Sequence, residues 1–172
     1  MVSYTIISYV NTIVVMSMAG IAQGTQPLIS YYYGKNESEK YKKLLKYGMV
    51  AAAAGSVVAV LICYVGAESI VGLFLKESEA SLSIYSVRVL RIFILSFLLA
   101  GLNVVLGGYF TSVEKAGFAT MISLTRSLIA LVISLVFLTA VFGGEAIWWA
   151  PLIAESCCLV LSAGLYQWYR KK

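Results

Sequence analysis

Two side chains of opposite charge lie inside the long apolar segments of this sequence. Arg126 and Glu155 are the only charged residues within those segments. A charge in a membrane is costly, so it is normally retained with a partner or for a function. Two roles stay open for them. In the first, they form a structural ion pair between neighbouring helices. In the second, they act in gating or ion coupling. The two roles are compatible if the ion pair breaks during a functional cycle.

Uncharged polar residues in the same apolar segments form a second set of candidates. Asn103 predicts either an interhelical hydrogen bond or part of a cavity wall. Gln23 and Gln26 precede Pro27, which removes a backbone donor and crowds the preceding helical turn. We therefore expect the first helix to be broken open at this end. Together with Asn11, these two glutamines and Asn103 are the candidates for lining a cavity.

Other site chemistry has little support in this sequence. The chain has no histidine, so a His-based metal or proton-relay site is excluded. Cys63, Cys157 and Cys158 lie in apolar runs and are interpreted as small buried residues. No phosphate-binding G-x-x-x-x-G-K-[ST] motif occurs, and we expect no cofactor. An intramembrane enzyme would need a catalytic Ser/Lys, paired Asp or His/Glu set, which the apolar segments lack.

The composition predicts an all-α, polytopic membrane helical bundle. Of 172 residues, 60% are apolar and 12% are charged, and the mean hydropathy is +0.88. Soluble proteins carry about 25% charged residues. Because a helix needs about 20 apolar residues to cross a bilayer, we predict five membrane spans. Their limits are about 4–29, 47–67, 92–110, 116–142 and 147–169.

Basic residues between the spans predict the orientation of the chain. Residues 35–46 contain five Lys or Arg, residues 111–115 contain one, and the tail contains three; Lys76, Arg88 and Arg91 lie on the other side. Basic loops favour the cytoplasm, so the C-terminus is expected there and the N-terminus outside. The net charge of +5 is attributed to this topology and not to nucleic acid. An outside N-terminus without a signal peptide predicts that the chain is part of a longer protein.

Several motifs, in order, resemble those of multidrug and toxic compound extrusion (MATE) transporters. The most specific is G-I-A-Q-G-T-Q-P-L-I-S-Y-Y-Y-G, from Gly20 to Gly34, followed by a basic loop. Four weaker matches follow in the right order: Val71–Phe74, Leu90–Ile92, Ser123–Arg126 and Trp148–Glu155. The resemblance covers essentially the whole chain.

The resemblance implies a fold of twelve spans in two six-helix lobes. The five spans here would match the eighth to twelfth, which is most of the C-terminal lobe. Seven spans would then come from the same gene or from a partner chain. The implied activity is secondary active efflux of small amphipathic organic cations in exchange for H⁺ or Na⁺, by alternating access across the cell membrane. The isolated chain is expected to be inactive.

The family's usual coupling acids do not map onto this chain. One branch uses a carboxylate on the tenth span, where the nearest polar residue here is Asn103. Another branch uses an acid on the first span, which would lie outside this chain. Two other functions stay open: a lipid-linked oligosaccharide flippase of the same superfamily, expected to carry more charge in its cavity, and a non-transporting membrane scaffold or assembly partner.

Overall fold

The computed structural model describes residues 2–75 and 80–171, with side chains as far as Arg170. All regular secondary structure in these residues is helical, which confirms the predicted all-α class. The α-helices are α1 (Val2–Gly34), α2 (Ser38–Val65), α3 (Ala67–Gly72), α4 (Ala80–Phe93), α5 (Phe97–Ser112), α6 (Ala116–Leu124), α7 (Ala130–Phe142) and α8 (Ala150–Lys171).

Irregular turns join several of these helices into longer ones. A 3₁₀ turn, Ile94–Ser96, joins α4 to α5, and a π turn, Thr125–Ile129, joins α6 to α7. A second 3₁₀ turn, Gly144–Trp149, leads into α8. The described residues therefore contain five helices, 27 to 33 residues long, that are long and apolar enough to cross a membrane.

Four of the five long helices begin before the predicted spans, and the helix Ala116–Phe142 coincides with the fourth. The segment Ala80–Ser112 is one helix of 33 residues, about 50 Å at 1.5 Å per residue, whereas the hydrocarbon layer is about 30 Å thick. The positions at which the spans enter the bilayer stay a prediction. Lys76, which entered the charge count, lies outside the described residues.

The first helix is continuous, so the prediction that it is broken near Pro27 is wrong. Pro27 lies inside α1, which runs without interruption to Gly34. A proline removes a single backbone donor, and the turns on either side keep their own hydrogen bonds. The hydroxyl of Thr25 donates to the carbonyl oxygens of Ala22 and Ile21, at 2.9 and 3.2 Å.

The continuous α4–α5 helix is the centre of the bundle. Of its most apolar 18 residues 56% are buried, against 22 to 33% for the other four long helices. Helix α5 contacts α1, α2, α6 and α8. The close approach of α5 to α2 depends on Gly101 of α5. A methyl group on Gly101 would lie 2.5 Å from the Ser56 hydroxyl of α2.

The buried apolar side chains form two clusters. One joins the N-terminal half of α1 to the end of α2, α3 and α4, and its largest members include Ile6, Leu90 and Phe97. The other joins the C-terminal half of α1 to α2, α5 and α8, around Tyr109 and Phe110. Many Val, Leu and Ile side chains outside both clusters are exposed, as expected for a surface that faces lipid.

Candidate functional site

A cavity of about 860 Å³ opens between α1, α5, the α6–α7 helix and α8. Its walls are mostly apolar, with a small group of polar side chains on one side. Four of the six predicted site residues line it: Asn11, Asn103, Arg126 and Glu155. The remaining walls include Tyr4, Ser8, Phe93, Ser123, Ser127, Trp148 and Pro151.

Arg126 and Glu155 form an ion pair on the wall of this cavity. Nε of Arg126 donates to Oε1 of Glu155 at 2.7 Å. The side chains keep 23% and 12% of their surface exposed, so both are largely withdrawn from solvent. The contact proposed for these residues from sequence is therefore present, and it links the α6–α7 helix to α8.

Asn103 of α5 holds the same carboxylate from the other side. Its Nδ2 donates to Oε2 of Glu155 at 2.7 Å and to the backbone carbonyl of Glu155 at 2.9 Å. Asn103 therefore makes an interhelical hydrogen bond and also lines the cavity, so the two roles considered for it coexist. Its Oδ1 is buried and has no hydrogen-bond partner among the described residues.

The three side chains form one connected polar cluster, defined here as Asn103, Arg126 and Glu155. Each carboxylate oxygen of Glu155 accepts a hydrogen bond, one from a guanidinium and one from an amide. Charge-assisted bonds of this type are roughly twice as strong as neutral ones. A cation or proton that reaches Glu155 must compete with Arg126 for the carboxylate.

The π turn places Arg126 at an irregular point of its helix. Thr125–Ile129 adopts i→i+5 geometry, which is rare and frequently found at functional sites. The hydroxyl of Ser127 donates to the carbonyl oxygen of Ser123 at 2.6 Å within the same segment. No pattern in the sequence predicted this turn. The residues on both sides of it form ordinary α-helix.

The α1 wall of the cavity presents a polar row that was recognised only in part. Tyr4, Ser8 and Asn11 are spaced by four and three residues and all line the cavity, so they share one helical face. Sequence reasoning selected Asn11 alone. The i, i+4, i+7 spacing of the three polar residues was a signal that could have found the others.

Trp148 is a further wall residue that was not among the site residues predicted from sequence. Its indole N–H donates to the hydroxyl of Tyr85 at 2.9 Å, which ties the turn before α8 to α4. The same side chain lines the cavity. Its partner lies 63 residues away in sequence, a distance at which no local pattern indicates a contact.

Gln23 and Gln26 do not line this cavity. Gln23 is exposed and Gln26 is half-buried. The Nε2 of Gln26 lies against α5, 2.7 Å from where a methyl group on Gly108 would stand. The structure brings neither residue to the polar cluster, and their role in a transport pathway stays a prediction.

Metal-binding side chains do not cluster in the part of the chain that the structure describes. Within residues 2–75 and 80–171, no group of three or more His, Cys, Asp or Glu is placed to hold a metal ion. Cys63, Cys157 and Cys158 are free thiols. Cys63 and Cys158 are buried as expected, but Cys157 is exposed, so the prediction of a buried residue is wrong for Cys157.

The five apolar helices and the polar cluster in their cavity define a multi-pass membrane protein. The sequence profile of the MatE family matches residues 1–136, and the chain belongs to this family of multidrug and toxic compound extrusion (MATE) proteins. Proteins of this family are transporters and not enzymes.

Curated relatives carry the same family identity. The multidrug export protein MepA of Staphylococcus haemolyticus (strain JCSC1435) is 24% identical over 161 residues, covering 94% of this chain and 34% of MepA. MepA of Staphylococcus aureus (strain MRSA252) is 23% identical over 157 residues, covering 91% of this chain and 33% of MepA. The chain therefore spans about a third of the length of these relatives.

Solved MATE structures have the same fold. A crystal structure of MATE in complex with MaL6 and an outward-facing multidrug resistance MATE transporter each give a TM-score of 0.88. Each is 16% identical, over 99% of this chain and 38% of theirs. An inward-facing multidrug resistance MATE transporter gives a TM-score of 0.86 at 16% identity, over 98% of this chain and 38% of its own.

Proposed function

We propose that this chain forms most of the C-terminal lobe of a secondary active multidrug efflux antiporter. The transporter exports small amphipathic organic cations in exchange for H⁺ or Na⁺. The observation that carries this proposal is the cavity of about 860 Å³ with a buried ion pair on its wall. Sites for drug-sized molecules are about 300–1,000 Å³, mostly apolar, with a few placed polar groups.

The walls suit an amphipathic, positively charged organic molecule. Tyr4, Phe93 and Trp148 offer aromatic surface for an apolar body, and aromatic faces also attract organic cations. The carboxylate of Glu155 supplies a negative charge at the same wall. An organic cation that binds near Glu155 therefore competes with Arg126 for it.

The polar cluster supplies a physical basis for exchange. When H⁺ or Na⁺ neutralises Glu155, the positive charge of Arg126 is left without its partner on the cavity wall. That charge repels an organic cation, so the coupling ion and the substrate exclude one another. Two titratable groups lie near Glu155: Arg126 in the π turn and the thiol of Cys158 on α8. Asn103 keeps the carboxylate in place.

Seven further spans, from the same gene or from a partner chain, would complete the cavity. Alternating access then comes from the two lobes moving relative to one another. The similar TM-scores against outward- and inward-facing transporters, 0.88 and 0.86, support a lobe that keeps its internal arrangement. The chain would lie in the cell membrane with a cytoplasmic C-terminus and would not transport alone.

The composition of the cavity favours this function over the two alternatives. A flippase for a lipid-linked oligosaccharide needs more polar and charged groups than one ion pair among mainly apolar walls. A scaffold needs no buried charge facing a cavity, and such a charge is costly to retain without use.

Substrate binding is tested by reactivity of a cysteine placed in the cavity. In a background free of native cysteines, Ser127→Cys should react with a cationic methanethiosulfonate. Tetraphenylphosphonium at about ten times its Kd should slow the reaction about tenfold by occupying the site. The membranes should contain the chain with the spans proposed to precede it.

Glu114→Cys is the matched control, because Glu114 is exposed in the turn between α5 and α6. It should react at a rate that the organic cation does not change. Equal rates with and without tetraphenylphosphonium at Ser127→Cys would contradict the proposal. Equal slowing at both positions would also contradict it, since the effect would then be unrelated to the cavity.

A further inference from the structure

A second groove, distinct from the transport cavity, contains two arginines. It has a volume of about 690 Å³ and lies between α2, α4 and the turn that precedes α8. Arg88 and Arg91, three residues apart on α4, both line it, so they share one helical face. Tyr64 and Trp149 form part of its walls.

The two arginines differ in the partners that they have among the described residues. Nη2 of Arg91 donates to Oε1 of Glu68 at 3.1 Å, and its guanidinium carbon lies 5.1 Å from the ring centre of Tyr64. Nε of Arg91 is buried without an acceptor among the described residues. Arg88 is exposed and forms no ion pair with a described residue.

A buried donor without an acceptor carries a free-energy cost of about 1–3 kcal/mol. The carboxylate of Glu68 is already paired with Arg91, and Glu145, which lines the adjoining groove with Arg88, forms no ion pair with it. An anion with several acceptor oxygens can accept from the exposed guanidinium of Arg88 and balance its charge. Guanidinium groups match phosphate geometry through paired N–H donors.

The depth of the groove in the bilayer indicates which anion it meets. The helix Ala80–Ser112 has 33 residues, about 50 Å, so about 10 Å extends beyond each side of a centred 30 Å hydrocarbon layer. Arg88 and Arg91 lie about 12 and 16 Å from the start of this helix, inside the edge of that layer, from where their long side chains can extend to the lipid headgroups. Trp149 and Tyr64 suit the same interface.

We propose that this groove binds an anionic phospholipid, with its phosphodiester headgroup against Arg88 and Arg91. Apolar side chains on α4 and on the 3₁₀ turn that follows it, including Ile84, Val87 and Leu95, continue the groove and provide surface for the acyl chains. A free phosphate ion would use the arginines but not this apolar surface. A lipid bound here contacts α2 and α4 together, next to the helix that carries Asn103.

The test uses Trp149 as a fluorescent reporter within the groove. Trp148→Phe and Trp168→Phe leave Trp149 as the single tryptophan of the chain. The chain is reconstituted in nanodiscs with brominated phosphatidylglycerol or brominated phosphatidylcholine, each diluted in unlabelled phosphatidylcholine. We expect the anionic lipid to quench Trp149 with about fivefold higher apparent affinity.

Arg88→Gln should reduce this preference to about one, and Arg88→Lys should keep most of it because the charge stays. The matched control is Lys43→Gln with Lys46→Gln, two exposed basic residues at the opposite end of α2, which should leave the preference unchanged. Equal quenching by the two lipids in the starting chain overturns the proposal. So does displacement of the brominated lipid by inorganic phosphate, since the groove would then bind a free anion.

Discussion

Reversing the charge of either Arg126 or Glu155 alone is expected to remove most of the folded chain from the membrane. Arg126→Glu places two carboxylates where Nε and Oε1 now lie 2.7 Å apart, and Glu155→Arg places two guanidinium groups there. Removing one partner of a buried ion pair costs about 3–5 kcal/mol. Each factor of ten in an equilibrium constant corresponds to about 1.4 kcal/mol. The ratio of folded to unfolded chain should therefore fall by at least about a hundredfold, and the folded yield measured by fluorescence-detected gel filtration should fall with it.

Reversing both charges together should restore most of the folded chain. The pair is then re-formed in the opposite sense, and Asn103 can turn its amide so that Oδ1 accepts from the relocated guanidinium. The comparison pair is Glu37 and Lys40, whose side chains keep 35% and 59% of their surface exposed. Reversing either of them should change the yield little, because surface pairs contribute about 0–1 kcal/mol. A double reversal at 126 and 155 without rescue would contradict the pairing.

Gly101→Ala is expected to destabilise the contact between α5 and α2. The added methyl group would lie 2.5 Å from the hydroxyl of Ser56, 3.1 Å from the sulfur of Met18 and 3.3 Å from the backbone carbonyl of Ala52. Ser56 is fully buried, so its side chain has no free space to move into. Overpacking of this kind costs about 1–3 kcal/mol, which thermal unfolding in detergent should detect as a lower midpoint.

Two further variants separate this steric effect from a general effect of removing glycine. Gly107→Ala lies on the same helix, and its methyl group would meet only Ile122, at 3.9 Å. It should be neutral or slightly stabilising, since alanine is the better helix former by about 1 kcal/mol. Ser56→Ala combined with Gly101→Ala removes the nearest contact and should recover part of the loss. Equal midpoints for Gly101→Ala and Gly107→Ala would contradict the packing described here.

The class of fold was predictable because membrane helices are encoded locally. Long uncharged runs must form helices in lipid, since each backbone polar group needs a partner within its own segment. The limits of the helices were less predictable. Helix α2 begins at Ser38, within the basic loop, because lysines in the first turns can extend toward water while their backbone stays helical.

The arrangement around Glu155 was predictable in its members but not in its geometry. Arg126 and Asn103 lie 29 and 52 residues from Glu155 in sequence. The free-energy cost of a buried charge indicated that Arg126 and Glu155 need partners. The packing of three helices decides which atoms meet. The second hydrogen bond of Asn103, to the backbone of Glu155, depends on that packing alone.

The region around Pro27 shows where a local rule failed. Proline lacks a backbone N–H and its ring crowds the preceding helical turn. Helix α1 nevertheless continues through Pro27. The helix is held on both sides of Pro27 by packing, since Ala22 and Ile29 are buried in the same apolar cluster. Tertiary contacts of this kind outweigh the loss of one backbone hydrogen bond. The glutamines beside the proline consequently occupy an ordinary helical surface and not an opened helix end.

The most direct test of the account is efflux by a chain in which the ion pair is neutralised. Arg126→Gln with Glu155→Gln removes both charges, and replacing a buried pair by neutral groups is far less destabilising than breaking it. The variant leaves no unpaired charge in the cavity wall and should therefore fold, as should the comparison variant Glu37→Gln with Lys40→Gln. Efflux of tetraphenylphosphonium from vesicles, driven by an imposed proton or sodium gradient, is measured with the spans proposed to precede this chain present. We predict at least a tenfold loss of gradient-driven efflux in the first variant and none in the second. Full efflux without Arg126 and Glu155 would contradict the proposal that this pair couples ion entry to export.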